Sequence, residues 1–192
     1  MRTPALLLPL LGFISGSMMF SLWLGKLRGR DIRQFGDGNP GAVNAFRAAG
    51  PIIGSISLML DFLKGMVPAG VGFWQFHLAG IPLALLVLTP VLGHAFSPFL
   101  RFKGGKALAV TFGVWSGITL WQVPVFLGAM LLITRFVFRL KKDALCVVIT
   151  MLCLPVFVGI IYRSLPLLVA ALGNSGLVIL KHRHQCCPGF RC

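Results

Sequence analysis

Residues 107–134 read ALAVTFGVWSGITLWQVPVFLGAMLLIT, 28 positions without one charged side chain. About 20 apolar residues suffice to cross a bilayer once. Taken whole, this run is a single long helix. Divided at Gln122-Val123-Pro124, where a polar side chain and a proline signal a break, it becomes two short helices, tilted or partly re-entrant. The choice sets the number of spans and the side of the membrane on which every later loop lies.

The flanking segments decide between them. Ala5 to Gly25 is a run of 21 uncharged residues, too long for the apolar region of a cleaved leader, and it flows into a basic loop. Lys26 to Gly50 reads as that loop, with five basic residues and several glycines. Pro51 to Trp74 is a second span, interrupted by Asp61 and Lys64. Gly65 to Leu100 carries no Lys, Arg or Asp over 36 residues, which requires a turn, placed at Gln75 to Gly80. Ala144 to Tyr162 and Leu165 to Leu180 are the last two spans. A break near Gln122 gives seven spans, with the N-terminus outside and the C-terminus inside. Fifteen of the 18 Lys and Arg then lie on the inner side. They are Lys26, Arg28, Arg30, Arg33 and Arg47; Arg101, Lys103 and Lys106; Arg135, Arg139, Lys141 and Lys142; and Lys181, Arg183 and Arg191. Only Arg2 and Arg163 fall outside, with Lys64 inside a span. A single crossing spoils this bias, so the excess of positive charge on cytoplasmic loops favours seven. The expected fold is an all-α integral membrane protein of about seven transmembrane helices. It forms one domain over 1–192 and ends in a short basic cytoplasmic tail, 181–192, that contains cysteine.

Composition agrees. Of 192 residues, 57% are hydrophobic and 11% charged, and mean hydropathy is +0.89. Soluble domains carry about 25% charged residues, so a soluble globule and a disordered chain are both excluded. The net charge of +14 invites a nucleic-acid reading. In a membrane chain it is explained by inner loops, anionic lipid or an anionic substrate, and no nucleic-acid partner is expected. The five cysteines form no disulfide framework. Cys146 and Cys153 lie in apolar runs, and Cys186, Cys187 and Cys192 lie in the tail, where a cytoplasmic location keeps thiols reduced. His182, His184, Cys186 and Cys187 are metal-ligand types, but their spacing fits no zinc pattern and cations surround them. No metal is expected.

Two loops could carry chemistry. The first reads Gly36-Asp37-Gly38-Asn39-Pro40-Gly41-Ala42-Val43-Asn44-Ala45-Phe46-Arg47. Its G-x-G-x-x-G spacing is no dinucleotide site, because no strand precedes it. Clustered glycines still let backbone N–H groups converge on an anion. A helix starting just after them adds its dipole, and Arg47 adds a forked donor for phosphate oxygens. A flexible, solvated turn fits the same residues. The second loop runs from Gly93-His94 to Lys103-Gly104-Gly105-Lys106. It offers exposed glycine backbone between two lysines before an apolar helix, again suited to phosphate; a positive-inside anchor is the other reading. Both loops fall on the same predicted face, which favours a shared anion site. Asp61 and Lys64, three apart on one helix face, read as a structural ion pair. His94 and His182 could each be a general base, a phosphate donor or a satisfied structural histidine. No Glu exists to serve as a base.

In order along the chain, these pieces resemble the bacterial integral-membrane acyl-phosphate:glycerol-3-phosphate acyltransferases, from about Gly16 to Gln185. The matching residues are Gly16-Ser17, Asp31, Arg33, the Gly36 to Arg47 loop, Asp61-Phe62-Leu63-Lys64-Gly65, Gly93-His94, Pro98-Phe99, Phe102 to Lys106, and Lys181-His182-Arg183. The resemblance implies a seven-helix enzyme of the bacterial inner membrane with its site at the cytoplasmic face. The enzyme moves a fatty acyl group from acyl phosphate to the 1-hydroxyl of glycerol 3-phosphate, giving lysophosphatidate and phosphate for phospholipid synthesis. No cofactor is implied. The expected partners are both substrates, membrane lipids and the phosphate acyltransferase that makes the donor. Lys106, Arg47, His182 and His94 become the catalytic candidates. Ser17, Gly36, Gly38, Asn39, Gly41, Asn44, Lys103, Gly104, Gly105 and Gln185 become the substrate- and phosphate-binding ones. Five departures stand out. Asp37 replaces the family's serine, Val43 a threonine, Ala107 a glycine and Gln185 an asparagine, and the serine-containing stretch expected near Lys141 to Val147 is absent. They leave a second reading, a catalytically impaired relative that binds phospholipid or another phosphate-bearing ligand. A small transporter is the weaker third reading, because the glycine loops lie at the surface and not at mid-bilayer.

Overall fold

A computed structural model describes residues 3–186, without the side chains of Thr3, Pro4, His184 and Cys186. Among the described residues every regular element is a helix. The helices are α1 (Thr3–Ser17), α2 (Phe20–Leu27), α3 (Ala42–Gly70), α4 (Gly80–Ala95), α5 (Leu108–Thr119), α6 (Gln122–Leu132), α7 (Asp143–Tyr162) and α8 (Leu165–Cys186). Five stretches are long and apolar enough to cross a membrane: Ala5–Leu27, Ala42–Gln75, Gly80–Leu100, Asp143–Tyr162 and Leu165–Arg183. Two shorter apolar helices, Leu108–Thr119 and Gln122–Val137, complete the set. The run at 107–134 is therefore broken, at Leu120-Trp121, where Leu120 takes a left-handed φ of 57°. At 1.5 Å per residue the two halves rise about 18 and 24 Å, short of the ~30 Å hydrocarbon core.

Three expected boundaries are corrected. The first span is interrupted, since α1 ends at Ser17 and α2 begins at Phe20. The freed Met18 carbonyl accepts a hydrogen bond from Lys64 Nζ at 2.5 Å. The loop expected over 26–50 already turns helical at Ile32–Gln34 and is a helix from Ala42. The break falls at Gly50, with φ 85° and ψ 176°, since a residue before proline avoids the helical region. The kink returns the Phe46 ring to α3 at Gly54, where a Cβ would meet it at 2.2 Å. Finally, the tail expected from 181 is helical as far as Cys186; Cys187 and Cys192 lie outside the described residues.

Close backbone approach holds the helices together. A Cβ at Gly16 would come within 2.1 Å of the Pro90 carbonyl oxygen, and one at Gly93 within 2.2 Å of the Phe13 oxygen. These contacts join α1 to α4. On α5, a Cβ at Gly113 would strike the Phe62 oxygen at 2.0 Å, and one at Gly117 the Met66 oxygen at 2.5 Å. These join α5 to α3. In lipid no water-driven burial separates inside from outside, so small residues that let backbones pack closely take over that role. Leu86, Val91, Trp115, Met151 and Leu154 fill the centre of the bundle, while Leu6, Ile52, Val156 and Ile160 face outward. A buried polar clamp fixes α8 against α5. Trp115 Nε1 donates to Asn174 Oδ1 at 3.0 Å, and Asn174 Nδ2 donates to Thr111 Oγ1 at 3.0 Å. The clamp sets the register between the residues just before α5 and the last turns of α8.

Candidate active site

Lys106, just before α5, and Gln185, on the last turn of α8, meet at Asp37. Lys106 Nζ lies 2.5 Å from Asp37 Oδ2, and Gln185 Nε2 donates to the same oxygen at 2.7 Å. Asn44 Nδ2 donates to Asp37 Oδ1 at 2.9 Å and to the Asn39 carbonyl at 2.9 Å. The Asn39 N–H closes an Asx-type turn onto Asp37 Oδ1 at 3.2 Å. Burial pushes the Asp37 carboxyl up, but the hydrogen bond and charge of Lys106, with the donors from Asn39 and Asn44, overcome it and hold its pKa at about 2. Asp37 is thus ionised throughout the physiological range.

Glycine shapes this loop at a necessary point. Gly36 has φ 58°, and a Cβ there would lie 2.2 Å from Arg47 Nη1 and 2.4 Å from Asn44 Oδ1. The bare backbone lets the Arg47 guanidinium lie flat against the loop. Arg47, Asp37, Asn39, Gly41, Lys106, His182 and Gln185 all line one cavity of 850 Å³. Apolar side chains line it too, with Leu58, Met59 and Phe62 from α3, Leu108 and Phe112 from α5, and Val147 from α7, alongside the polar Ser55, Asp61, His94 and Asp143. Arg47 and Lys106 share this lining with three carboxylates, Asp37, Asp61 and Asp143, and with much hydrocarbon. A second cavity of 510 Å³ adjoins it, lined by Gly38, Lys103, Gly104, Gly105, Lys181 and Arg183, with Asp37, Lys106 and Gln185 common to both. His182 Nδ1 sits 2.8 Å from the Val178 carbonyl. Since a carbonyl only accepts, this partner puts the proton on Nδ1 and leaves Nε2 of the neutral ring as the acceptor.

Several expected site residues have structural partners, and of these His94, Gly104 and Gly105 also line a cavity. Ser17 is buried and donates to the Phe13 carbonyl at 2.7 Å, while its own carbonyl accepts from Ser97. It belongs to the α1–α4 contact and lines neither cavity. Gly105, expected to present exposed backbone, is buried and gives its N–H to the His94 carbonyl at 2.9 Å. A Cβ at Gly104 would reach the His94 oxygen at 2.0 Å, and one at Gly105 would reach His94 Nε2 at 2.2 Å. The double glycine therefore lets the loop ride over His94. His94 is itself buried, with Nδ1 3.9 Å from Asp61 Oδ1. Asp61 and Lys64 lie 2.8 Å apart and buried, and Ser21 Oγ donates to Asp61 Oδ2 at 2.9 Å. Two contributors escaped the sequence reading. Asn174 could have been found as an amide inside an apolar span. Asp143 lines the large cavity at the start of α7, with no motif to mark it.

Known proteins share this arrangement. The profile of a family described as Glycerol-3-phosphate acyltransferase matches residues 6–187. The chain is 40% identical over 183 residues to Glycerol-3-phosphate acyltransferase 1 of Thermotoga maritima, covering 89% of this chain and 90% of that one. It is 38% identical over 185 residues to the Glycerol-3-phosphate acyltransferase of Geobacter sulfurreducens, covering 94% and 91%. Crystal structures of PlsY (YgiH), an integral membrane glycerol 3-phosphate acyltransferase, superpose closely. The glycerol 3-phosphate form gives a TM-score of 0.86 at 31% identity, over 95% of this chain and 90% of that one. The lysophosphatidic acid form gives 0.85 at 30%, over 95% and 89%. Sequence and fold together place the chain in the glycerol-3-phosphate acyltransferase family.

Proposed function

We propose that this chain transfers a fatty acyl group from acyl phosphate to the 1-hydroxyl of glycerol 3-phosphate, releasing lysophosphatidate and phosphate in phospholipid synthesis. The observation that carries the reading is the mixed lining of the large cavity. Arg47, Lys106 and His182 share it with apolar side chains of α3, α5 and α7. One substrate has a phosphate and an alkyl chain, and the other is a small phosphate. The hydroxyl oxygen attacks the acyl carbonyl, the carbon–oxygen bond to phosphate breaks, and the hydroxyl proton leaves with the phosphate or through His182 Nε2. Acyl phosphate is already activated, so no protein nucleophile is needed. Lys106 and Arg47 hold phosphate oxygens and offset charge as the tetrahedral intermediate forms. Asn44, Asn39 and Gln185 orient the same end, with Gly36, Gly38 and Gly41 shaping the loop and Lys103 at the neighbouring cavity. His94, under the double glycine, also lines the large cavity and remains a catalytic candidate beside its hold on that loop.

The same reading treats residues 1–192 as one domain that crosses the bacterial inner membrane seven times, counting α5 and α6 as short crossings. The N-terminus is outside, and the site and the tail are cytoplasmic. The skew of Lys and Arg supports this. Labelling from the cytoplasmic side alone is expected for Lys142→Cys, and labelling from outside would overturn it. The partner supplying the donor is a phosphate acyltransferase.

The decisive assay follows lysophosphatidate made by the purified protein from palmitoyl phosphate and glycerol 3-phosphate, with palmitoyl-CoA as control. Product from acyl phosphate alone is expected, falling about 10²–10³-fold in Lys106→Ala, the scale for losing one charge-stabilising donor. A folded protein that binds glycerol 3-phosphate without turnover would select the impaired relative, the reading that Asp37 within the cradle favours.

A further inference from the structure

The Asp37 carboxylate is held as an anionic ligand would be. Its four donors come from three separate pieces of chain: Asn39 and Asn44 around the start of α3, Lys106 before α5, and Gln185 at the end of α8. The carboxylate also stands in the wall common to the 850 Å³ and 510 Å³ cavities. Its contact with Lys106 is partly open, with the two side chains 30% and 21% exposed. An ion pair in that setting can exchange partners.

We infer that Asp37 is a specificity-determining residue: its carboxylate fills the anion cradle of the empty site, and only a ligand with more than one negative charge displaces it. This rests on the acyltransferase reading, in which the cradle receives a substrate phosphate. A carboxylate or a phosphodiester offers Lys106 the same single charge that Asp37 already gives, so the exchange gains nothing and strands a carboxylate. A phosphate monoester brings close to two charges and three strong acceptor oxygens. It also engages Arg47, whose guanidinium lies against Gly36 beside the cradle. The displaced Asp37 side chain keeps cations within reach, because Lys103 and Lys181 line the second cavity. The hydrocarbon in the large cavity's lining suits lipid tails of every kind, and a phosphodiester or a fatty acid carboxylate carries only one negative charge. A self-anion in the cradle rejects those and passes the monoester, selection by disfavouring competitors as much as by favouring the substrate. Serine at this position would hold the donors open to any anion.

The test compares two lysolipids with the same palmitoyl chain, lysophosphatidate and lysophosphatidylglycerol, binding to the full chain in detergent at pH 8. The first is a monoester with close to two charges, the second a diester with one. The unmodified protein is expected to prefer lysophosphatidate by at least about tenfold, the scale of one charge-assisted hydrogen bond. Asp37→Asn keeps the shape and removes the charge. In it the preference is expected to shrink to about threefold or less, chiefly because the diester binds more tightly. Asp37→Ser should behave likewise. A preference near one in the unmodified protein would overturn the assignment, and that measurement needs no variant to fold. So would an undiminished preference in Asp37→Asn. Turnover with acyl phosphate but an unchanged preference would sink the role of Asp37 alone. A preference lost with Asp37 in a protein that never turns over would sink the acyltransferase reading alone.

Discussion

Two lysine–carboxylate pairs place a carboxylate, Asp61 or Asp37, on the wall of the large cavity, and they differ in what surrounds them. Asp61 and Lys64 are 2.8 Å apart with side chains 3% and 2% exposed. Ser21 donates to the carboxylate and the Met18 carbonyl accepts from the ammonium. Asp37 and Lys106 are 2.5 Å apart but partly open to two cavities. The first pair spans a break between α1 and α2, and although Asp61 borders the large cavity, both side chains are almost fully enclosed. The second joins three pieces of chain at a surface a ligand can reach. Identical chemistry thus yields a rivet in one place and an exchangeable contact in the other, and burial is the variable that decides.

The comparison breaks most visibly if one member of the buried pair is removed. Asp61→Ala leaves an ammonium uncompensated inside the bundle, and losing one partner of a buried pair costs about 3–5 kcal/mol. Thermal unfolding in detergent is expected to show a stability loss of that size. The double variant Asp61→Leu with Lys64→Met should recover most of it, since apolar side chains of similar volume replace buried ion pairs at little cost. The remainder reports the Met18 carbonyl left without its donor. At the open pair, Lys106→Ala is expected to move stability by no more than about 1 kcal/mol while lowering turnover about 10²–10³-fold. Equal destabilisation by Asp61→Ala and Lys106→Ala would remove the distinction.

The two pairs were unequally legible in the sequence. The spacing of Asp61 and Lys64 alone predicts a shared helix face, because three residues bring side chains together on any helix. Nothing local predicts that Asp37 meets Gln185, 148 positions away. That contact depends on the Thr111–Asn174–Trp115 clamp, which sets α8 against α5. Charge runs and the Gln75 to Gly80 turn gave the helix order, since hydropathy is read over a window and tolerates small errors. The break between Ser17 and Phe20 escaped because hydropathy is blind to a hydrogen bond from Lys64, 46 residues distant. Gly104 and Gly105 were visible as glycines, but their contact with His94 was not. A glycine signals that something comes close, and only the fold says that His94 is one such neighbour. G-x-x-x-G at 12–16 and 113–117 could have been read as helix contacts, because that spacing stacks small residues on one face.

The smallest expected effect concerns pH. The Asp37 carboxyl has its pKa lowered from 3.8 to about 2. A carboxyl lowered on folding adds stability that is fully present above its unfolded value and is lost as pH falls through the folded one. The contribution from Asp37 is therefore constant above about pH 5 and disappears between 3.8 and about 2. Across pH 5–8 the unfolding midpoints of the unmodified protein and Asp37→Asn should run parallel, separated by a small constant offset. They should converge only near the acid end. An offset that titrates between pH 5 and 7 would mean that the carboxyl is not held by Lys106, and the open pair would then lack the coupling that separates it from an ordinary surface charge. Parallel curves would place the pH dependence of ligand binding on the phosphate monoester itself, whose second ionisation falls at about 6. Asp37 would then act as a fixed charge against which the ligand's own charge is measured.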